Sequence, residues 1–218
     1  ILQDASFLRF IGVLRETDGF KNFDAVALEP VLFAAANPFT SPVERNRICL
    51  LRGVACDSAG ILREVEFEGF PAYRNQEPVR PKYLYIQWLP ATVTRLSISR
   101  LRAVTKDLFE TWHLPRELIK MNIHNCQYGG TVEMSWLPRK IEVFKLNMNN
   151  IKGTVYLTDL PPSLKDINLT TSPIEAVVVD NSSLQSLQLA RFGHTSEILV
   201  REVSGEIVDK RIKVTRYR

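Results

Sequence analysis

Leu114-Pro115-Arg116-Glu117-Leu118-Ile119-Lys120-Met121-Asn122-Ile123, Leu137-Pro138-Arg139-Lys140-Ile141-Glu142-Val143-Phe144-Lys145-Leu146 and Leu160-Pro161-Pro162-Ser163-Leu164-Lys165-Asp166-Ile167-Asn168-Leu169 are versions of one pattern, L-P-x-x-L-x-x-L-x-L. A linking half precedes the later copies, Gly130-Thr131-Val132-x-Met134 in one case and Gly153-Thr154-Val155-x-Leu157 in the next. Outward from this centre, Val93, Leu118, Ile141, Leu164 and Leu184 read as the first apolar position of successive units, with steps of 25, 23, 23 and 20 residues. Steps of that size are too short for a helix pair and fit a coil made of one strand and a return segment. The expected fold is therefore a solenoid.

Within each unit the x-L-x-L-x pentad alternates, which sends its apolar pair inward and its flanking residues outward. The inward pairs read as Leu96 with Ile98, Met121 with Ile123, Phe144 with Leu146, Ile167 with Leu169, and Leu187 with Leu189. Stacked units would pair these strands in parallel and merge the apolar pairs into one core, so no unit could fold alone. The turn out of each strand falls on Leu101, Cys126, Asn149, Ser172 and Phe192. Asn149 and Ser172 can bond exposed peptide groups there, and a small thiol at Cys126 is a tolerable substitute.

The chain's 218 residues, 24% charged and 45% hydrophobic, are ordinary for a globular protein and exclude disordered and fibrous classes. No run of about 18 uninterrupted apolar residues marks a membrane span. The chain begins at Ile1 rather than Met, as a mature or trimmed product would, and a removed signal peptide stays open. Asp4 is a fitting N-cap for a first helix with Phe7, Leu8, Ile11 and Leu14 on one face, and Gly19 can stop it. Shorter helices through Ala25–Leu28 and Val31–Ala36 are interrupted by Pro30 and closed by Pro38 and Pro42. A short strand pair with a turn at Asp57 to Gly60 then leads into Leu62-x-x-Val65-x-Phe67. Residues 69–82, with Pro71, Pro78 and Pro81, break the rhythm as an irregular insertion. The domain plan is a helical cap at 1–61, about five to six repeats at 62–192, and a C-terminal cap with a basic tail at 193–218.

Three cysteines allow one internal disulfide, and Cys49 and Cys56 are close enough in sequence for a bridge across adjoining segments. The net charge of +4 is too small to indicate nucleic acid on its own. Lys210, Arg211, Lys213, Arg216 and Arg218 nevertheless put five cations into the last nine residues. Such a tail can meet phosphate or an anionic membrane, or it can be an alternating edge strand whose charges face water.

Ile141-x-x-Phe144-x-Leu146-x-x-Asn149-x-Ile151-x-Gly153 matches the L-x-x-L-x-L-x-x-N-x-L-x-G pattern, and the chain resembles a leucine-rich repeat protein. Cys49, Gly53, Val54 and Cys56 are similar to the cysteine-containing amino-terminal cap of plant-type and protist members. The plant-type unit would carry G-x-I-P after the asparagine position, whereas this chain has Gly-Thr-Val-x-Leu/Met. Its return segments are therefore expected to be extended or irregular rather than helical. The resemblance implies a concave strand face that binds a protein partner.

The outward residues of that face read as Glu64 and Glu66; Arg95, Ser97 and Ser99; Lys120, Asn122 and His124; Glu142, Lys145 and Asn147; Lys165, Asn168 and Thr170; and Gln185, Gln188 and Arg191. This mixed polar strip suits a polar or charged protein partner. Its cations are interrupted by acids and lack the interleaved aromatics that stack on bases. Asn168-Leu169-Thr170 and Asn181-Ser182-Ser183 match the glycosylation acceptor pattern. With the cap cysteines they lean toward a secreted or cell-surface protein, a cytoplasmic one being left open.

No catalytic or metal-binding constellation is legible. Of the three histidines, His124 lies two residues from Cys126, but repeat geometry turns one outward and the other in. There is no C-x-x-C, no H-E-x-x-H and no phosphate-cradling glycine loop. The expected function is a non-enzymatic, cofactor-free protein-interaction module. The alternatives are recruitment to an anionic surface or nucleic acid through the tail, or a structural, self-associating protein.

Overall fold

The computed structural model describes residues 47–50, 53–68, 85–100 and 108–217. The helices read before Pro42, the insertion at 69–82, Leu101 and Arg218 lie outside the described residues. The strands in chain order are β1 (Val54–Cys56), β2 (Leu62–Glu68), β3 (Arg95–Ser99), β4 (Lys120–His124), β5 (Gly129–Gly130), β6 (Val143–Lys145), β7 (Asn150–Ile151), β8 (Gly153–Leu157), β9 (Asp166–Thr170), β10 (Ile174–Val179), β11 (Leu189–His194), β12 (Leu199–Glu202) and β13 (Ile212–Arg216). Between them run single turns of 3-10 helix, as at Ile86–Trp88, Thr111–His113 and Met134–Trp136.

The chain forms a β-solenoid of stacked parallel strands with little helix. An eight-stranded sheet in the order β1-β2-β3-β4-β6-β9-β11-β13 makes one wall. Every pairing in it is parallel except β1 with β2. The return segments supply a parallel three-stranded sheet, β12-β10-β8, and a two-stranded one, β5-β7. Parallel neighbours need a crossover, and here each crossover is one coil of the solenoid.

The alternation predicted for the strands holds through the middle of the array. Two inward rows cross the large sheet, Val65-Leu96-Met121-Phe144-Ile167 in register throughout and Phe67-Ile98-Ile123, which Leu146, just past the end of β6, and Leu169 continue. From Leu96 to Leu169 these residues are buried, as are Val132, Met134, Val155 and Leu157 from the linking halves. The linking residues close the core from the other side, so each coil contributes apolar groups to both walls.

In the last coil the observed register differs from the expected one. Ala190 pairs with Ile167 and Phe192 with Leu169, so these two point inward in place of Leu187 and Leu189. Leu187 takes the first apolar position, 23 residues after Leu164, and Leu184 sits one turn earlier. The unit length is therefore the same 23 residues through three successive steps. The physical reason is volume: the small Ala190 is acceptable because Phe192 beside it fills the space, and both are fully buried.

Strands β3, β4, β6 and β9 leave through a residue with positive φ: Arg100, Asn125, Met148 and Thr171 all lie near +55°. Left-handed backbone is unfavourable for such side chains, so the turn needs compensation. In the central coils Asn149 supplies it. Its Oδ1 accepts from the backbone N–H of Cys126 and of Tyr128, both at 3.1 Å, and its Nδ2 donates to the carbonyls of Ile123, Leu146 and Asn147. Phe192 does not occupy the corresponding turn position in the last coil, because it belongs to the strand.

At the amino-terminal end, β1 crosses β2 antiparallel through the predicted turn at Asp57 to Gly60. Asp57 Oδ1 accepts from the N–H groups of Ala59 and Ile61, and Arg63 donates to its other oxygen. These hydrogen bonds hold the Asp57 carboxyl below the usual carboxylate range. Gly53 has φ +83°, and a Cβ there would lie 2.0 Å from the Glu66 carbonyl oxygen, so the crossing requires glycine. Cys49 and Cys56 form a disulfide with their Cα atoms 5.6 Å apart. For a separation of seven residues, loop-closure entropy gives a stabilisation of about 2.5 kcal/mol. Replacing both cysteines by serine should therefore lower the urea midpoint of unfolding by that equivalent, and an unchanged midpoint would show that the bridge merely joins residues already fixed by β1.

Candidate functional site

The outer face of the large sheet is the broadest ordered surface the repeats build. Three polar rows cross it in register. One runs Glu64-Arg95-Lys120-Val143-Asp166-Leu189, the next Glu66-Ser97-Asn122-Lys145-Asn168-Arg191-Lys213, and the third Glu68-Ser99-His124 and, in later coils, Thr170-Gly193-Thr215. Each row is one position of the repeat seen in successive coils.

Most of the residues expected on this face are there, and four are not. Glu142, Lys165 and Gln188 precede strands β6, β9 and β11, in the position of Ile119 in the coil before, and the strand-face positions belong to Val143, Asp166 and Leu189. Strict alternation from Phe144, Ile167 and Ala190 dictates this placement, whatever the polarity of the residues concerned. Glu142 and Lys165 instead pair with each other at 3.2 Å beside the face. Gln185 lies farther off, at a groove of about 230 Å³ lined also by Arg139, Asp159 and Pro161.

Asp166, absent from the expected strip, organises the middle of the face. Lys145 Nζ reaches its Oδ2 at 2.8 Å, and Arg191 donates to Oδ1 at 3.0 Å from the other side. Two cations thus share one carboxylate across three adjacent strands. Nearer the amino-terminal end Arg95 pairs with Glu64 at 2.8 Å, and Arg100 pairs with Glu68. Such exposed pairs contribute little to stability, and their effect here is to fix long side chains over the sheet. Lys120, Glu66 and Lys213 carry no ion pair among the described residues. The face is consequently graded, acidic on β2 and basic from β4 to β13.

His124 contributes to the third row. Its Nδ1 lies 2.7 Å from the Asn147 amide nitrogen, so the ring nitrogen accepts and the amide donates. Cys126 is a fully buried thiol whose Sγ approaches the carbonyls of His124 and Ile98. Imidazole and thiol are directed to opposite sides of the sheet. Asn168 accepts from the N–H and hydroxyl of Thr170, and Asn181 bonds both Ile207 and Asp209 through its side chain.

The basic tail is not a loose arm. Ile212–Arg216 is the last parallel strand of the large sheet. Arg211 bonds the Asp209 carboxylate and donates to the carbonyls of Leu184 and Leu187. Hydrogen bonds from the Arg211 side chain and N–H bring the Asp209 carboxyl to about 2. One of the tail's cations is therefore structural, while Lys210, Lys213 and Arg216 are exposed.

Sequence reading missed one further feature. Trp88, Trp112 and Trp136, the three tryptophans of the chain, stand on the stacked 3-10 turns of the return segments and are 41%, 45% and 52% exposed. Each lies one or two residues before a Leu-Pro pair, where an apolar residue reads naturally as core. The buried positions of these turns are taken by Ile86, Thr111 and Met134, which leaves the larger indoles outside. Trp and Tyr recur as anchors at protein interfaces.

Among the described residues no group of three or more His, Cys, Asp or Glu side chains could hold a metal ion, and no helix is long and apolar enough to cross a membrane. No protein-family model matches the chain, and comparison with curated proteins and with solved structures returns no match.

Proposed function

We propose that this chain is a leucine-rich-repeat protein, with residues 1–61 as its cap, that acts without catalysis by binding a protein partner on the open face of the large sheet. The observation that carries the reading is the in-register polar rows with the shared Lys145–Asp166–Arg191 cluster at their centre. Six strand spacings span about 29 Å. That extent suits a protein surface, whereas small-molecule sites are enclosed and mostly apolar. The charge gradient selects a partner that brings acidic groups to Lys120, Lys145 and Lys213 and a basic group to Glu66. Trp88, Trp112 and Trp136 on the stacked turns are exposed apolar side chains of the kind that anchor protein interfaces.

The test compares photo-crosslinkers placed at Asn122, on the open face, and at Tyr156, an exposed residue of the opposite sheet. In extract from the native source, Asn122 should yield one discrete adduct that Tyr156 does not, and Lys145→Glu with Arg191→Glu should reduce it at least tenfold. Adducts of equal yield from both positions, or an adduct indifferent to the charge reversals, would rule the face out.

A further inference from the structure

The two ends of the solenoid differ. At the amino-terminal end β1 crosses the last parallel strand and is tied down by the Cys49–Cys56 disulfide. At the other end, among the described residues, no strand pairs with the far side of β13. Repeat arrays bury their terminal apolar residues under a cap, because an open end leaves both apolar side chains and backbone groups exposed.

Both kinds of exposure are present at β13. In the row Ile98-Ile123-Leu146-Leu169-Phe192-Val214, every member before Val214 is fully buried, while Val214 is 41% exposed, since among the described residues no further strand stacks on it. Ile207, on the approach to the strand, is 92% exposed. The backbone phase is also defined. Arg211 accepts from Ala190 N–H, and Tyr217 donates to the His194 carbonyl, so odd-numbered residues of β13 bond to β11. The N–H and C=O of Val214 and Arg216 then point to the free edge, as alternation in a parallel ladder requires.

The charge around this edge specifies what can occupy it. Lys213 projects from the strand onto the open face, and Lys210 and Arg216 stand at its two ends, while Asp209, the carboxylate next to Lys210, is already bound to Arg211. A second copy of β13 would bring the same cations against them, and like charges directly opposite are destabilising. We propose that the β13 edge binds an extended acidic polypeptide segment by strand addition, one apolar side chain of the segment covering Val214 and its alternate carboxylates meeting Lys213 and, at the start of the strand, Lys210. Main-chain hydrogen bonds would give affinity and the alternating side chains specificity, as in other strand-addition complexes. This site is distinct from the open face, and either can fail without the other.

Two capped synthetic octapeptides serve as probes on the full 218-residue chain, one alternating Glu with Val and the other alternating Lys with Val. The acidic peptide should bind at least tenfold more tightly than the basic one, weaken with added salt, and slow hydrogen exchange at the amides of Val214 and Arg216. Val214→Pro removes only an edge-facing donor, since proline is tolerated on the free side of an edge strand. It should weaken acidic-peptide binding at least tenfold with the circular dichroism unchanged. Should Val214→Pro disturb folding, Lys210→Glu with Lys213→Glu provides the second test, and it should invert the preference between the peptides. Failure of both peptides to bind overturns the proposal. So does acidic binding that Val214→Pro leaves intact, which would mean capture by charge alone, and so does exchange protection of the Val214 and Arg216 amides in the free chain, which would mean that another segment already pairs there. Concentration-dependent dimerisation abolished by Val214→Pro would assign the edge to a second copy and overturn it equally.

Discussion

Asn149→Ala is expected to lower the free energy of unfolding by about 3–5 kcal/mol, although the side chain contributes almost nothing to the apolar core. Asn149 is 7% exposed and makes hydrogen bonds to groups from two coils. Its loss removes the one oxygen to which the N–H groups of Cys126 and Tyr128 both donate inside the turn. Each buried donor left unsatisfied costs about 1–3 kcal/mol, and the carbonyls of Ile123, Leu146 and Asn147 add to this. Asn149→Asp separates the two halves of the role. It preserves an acceptor for both N–H groups but directs an oxygen at three carbonyls, so it should not restore stability. Urea midpoints for the three proteins test this, and a stable Asp variant would mean that the donated bonds are dispensable. The strain of Met148, with φ +57° in the same turn, is held by the same side chain, so hydrogen exchange should accelerate first between Asn147 and Tyr128 of the preceding coil.

The central coils were legible in sequence for a physical reason. Met121 with Ile123, Phe144 with Leu146, and Ile167 with Leu169 alternate with polar residues, and only one register buries both members of each pair. The last coil was not, because Leu184-x-x-Leu187-x-Leu189 repeats the same consensus three residues out of frame. Local pattern could not choose between that frame and the one ending in Ala190 and Phe192. The choice is made by the neighbouring strand, where Ile167 and Leu169 receive a small and a large partner.

On the open face, polarity misled where alternation would have served. Glu142 looked like a surface residue and is one, but Phe144 fixes Val143 as the strand-face position. The Lys145–Asp166–Arg191 cluster was beyond local reading altogether. It exists because the 23-residue coil sets Asp166 in one row beside Lys145 and Arg191 in the next, and that requires the register of three strands at once. The tail followed the second of its two readings, an edge strand, since Ile212 continues the buried row through Ala190.

Phe144→Ala should be the most damaging change in the interior, lowering stability by about 3–5 kcal/mol. Phe144 is fully buried in β6, the central strand of the sheet, in register with Met121 on one side and Ile167 on the other. Its ring lies 6.4 Å from that of Phe109, which meets Tyr128 edge-on at 6.1 Å. The three rings run from the large sheet to the return segments, so removing one leaves a cavity between walls that the backbone ladders hold apart. Burial also pushes the Tyr128 hydroxyl far above its ordinary range, which marks the same interior as dry. Relaxation is hindered because β4 and β9 are each pinned by further coils, and incomplete collapse is what makes such cavities costly. Phe144→Leu fills most of the volume and should recover all but about 1.5 kcal/mol. Because each coil contacts only its neighbours, the loss should be felt as a break in the array rather than a uniform weakening. Hydrogen exchange would then show β4 to β9 opening together while the β11–β13 end keeps its protection; uniform acceleration across the sheet would show instead that the solenoid unfolds as one unit.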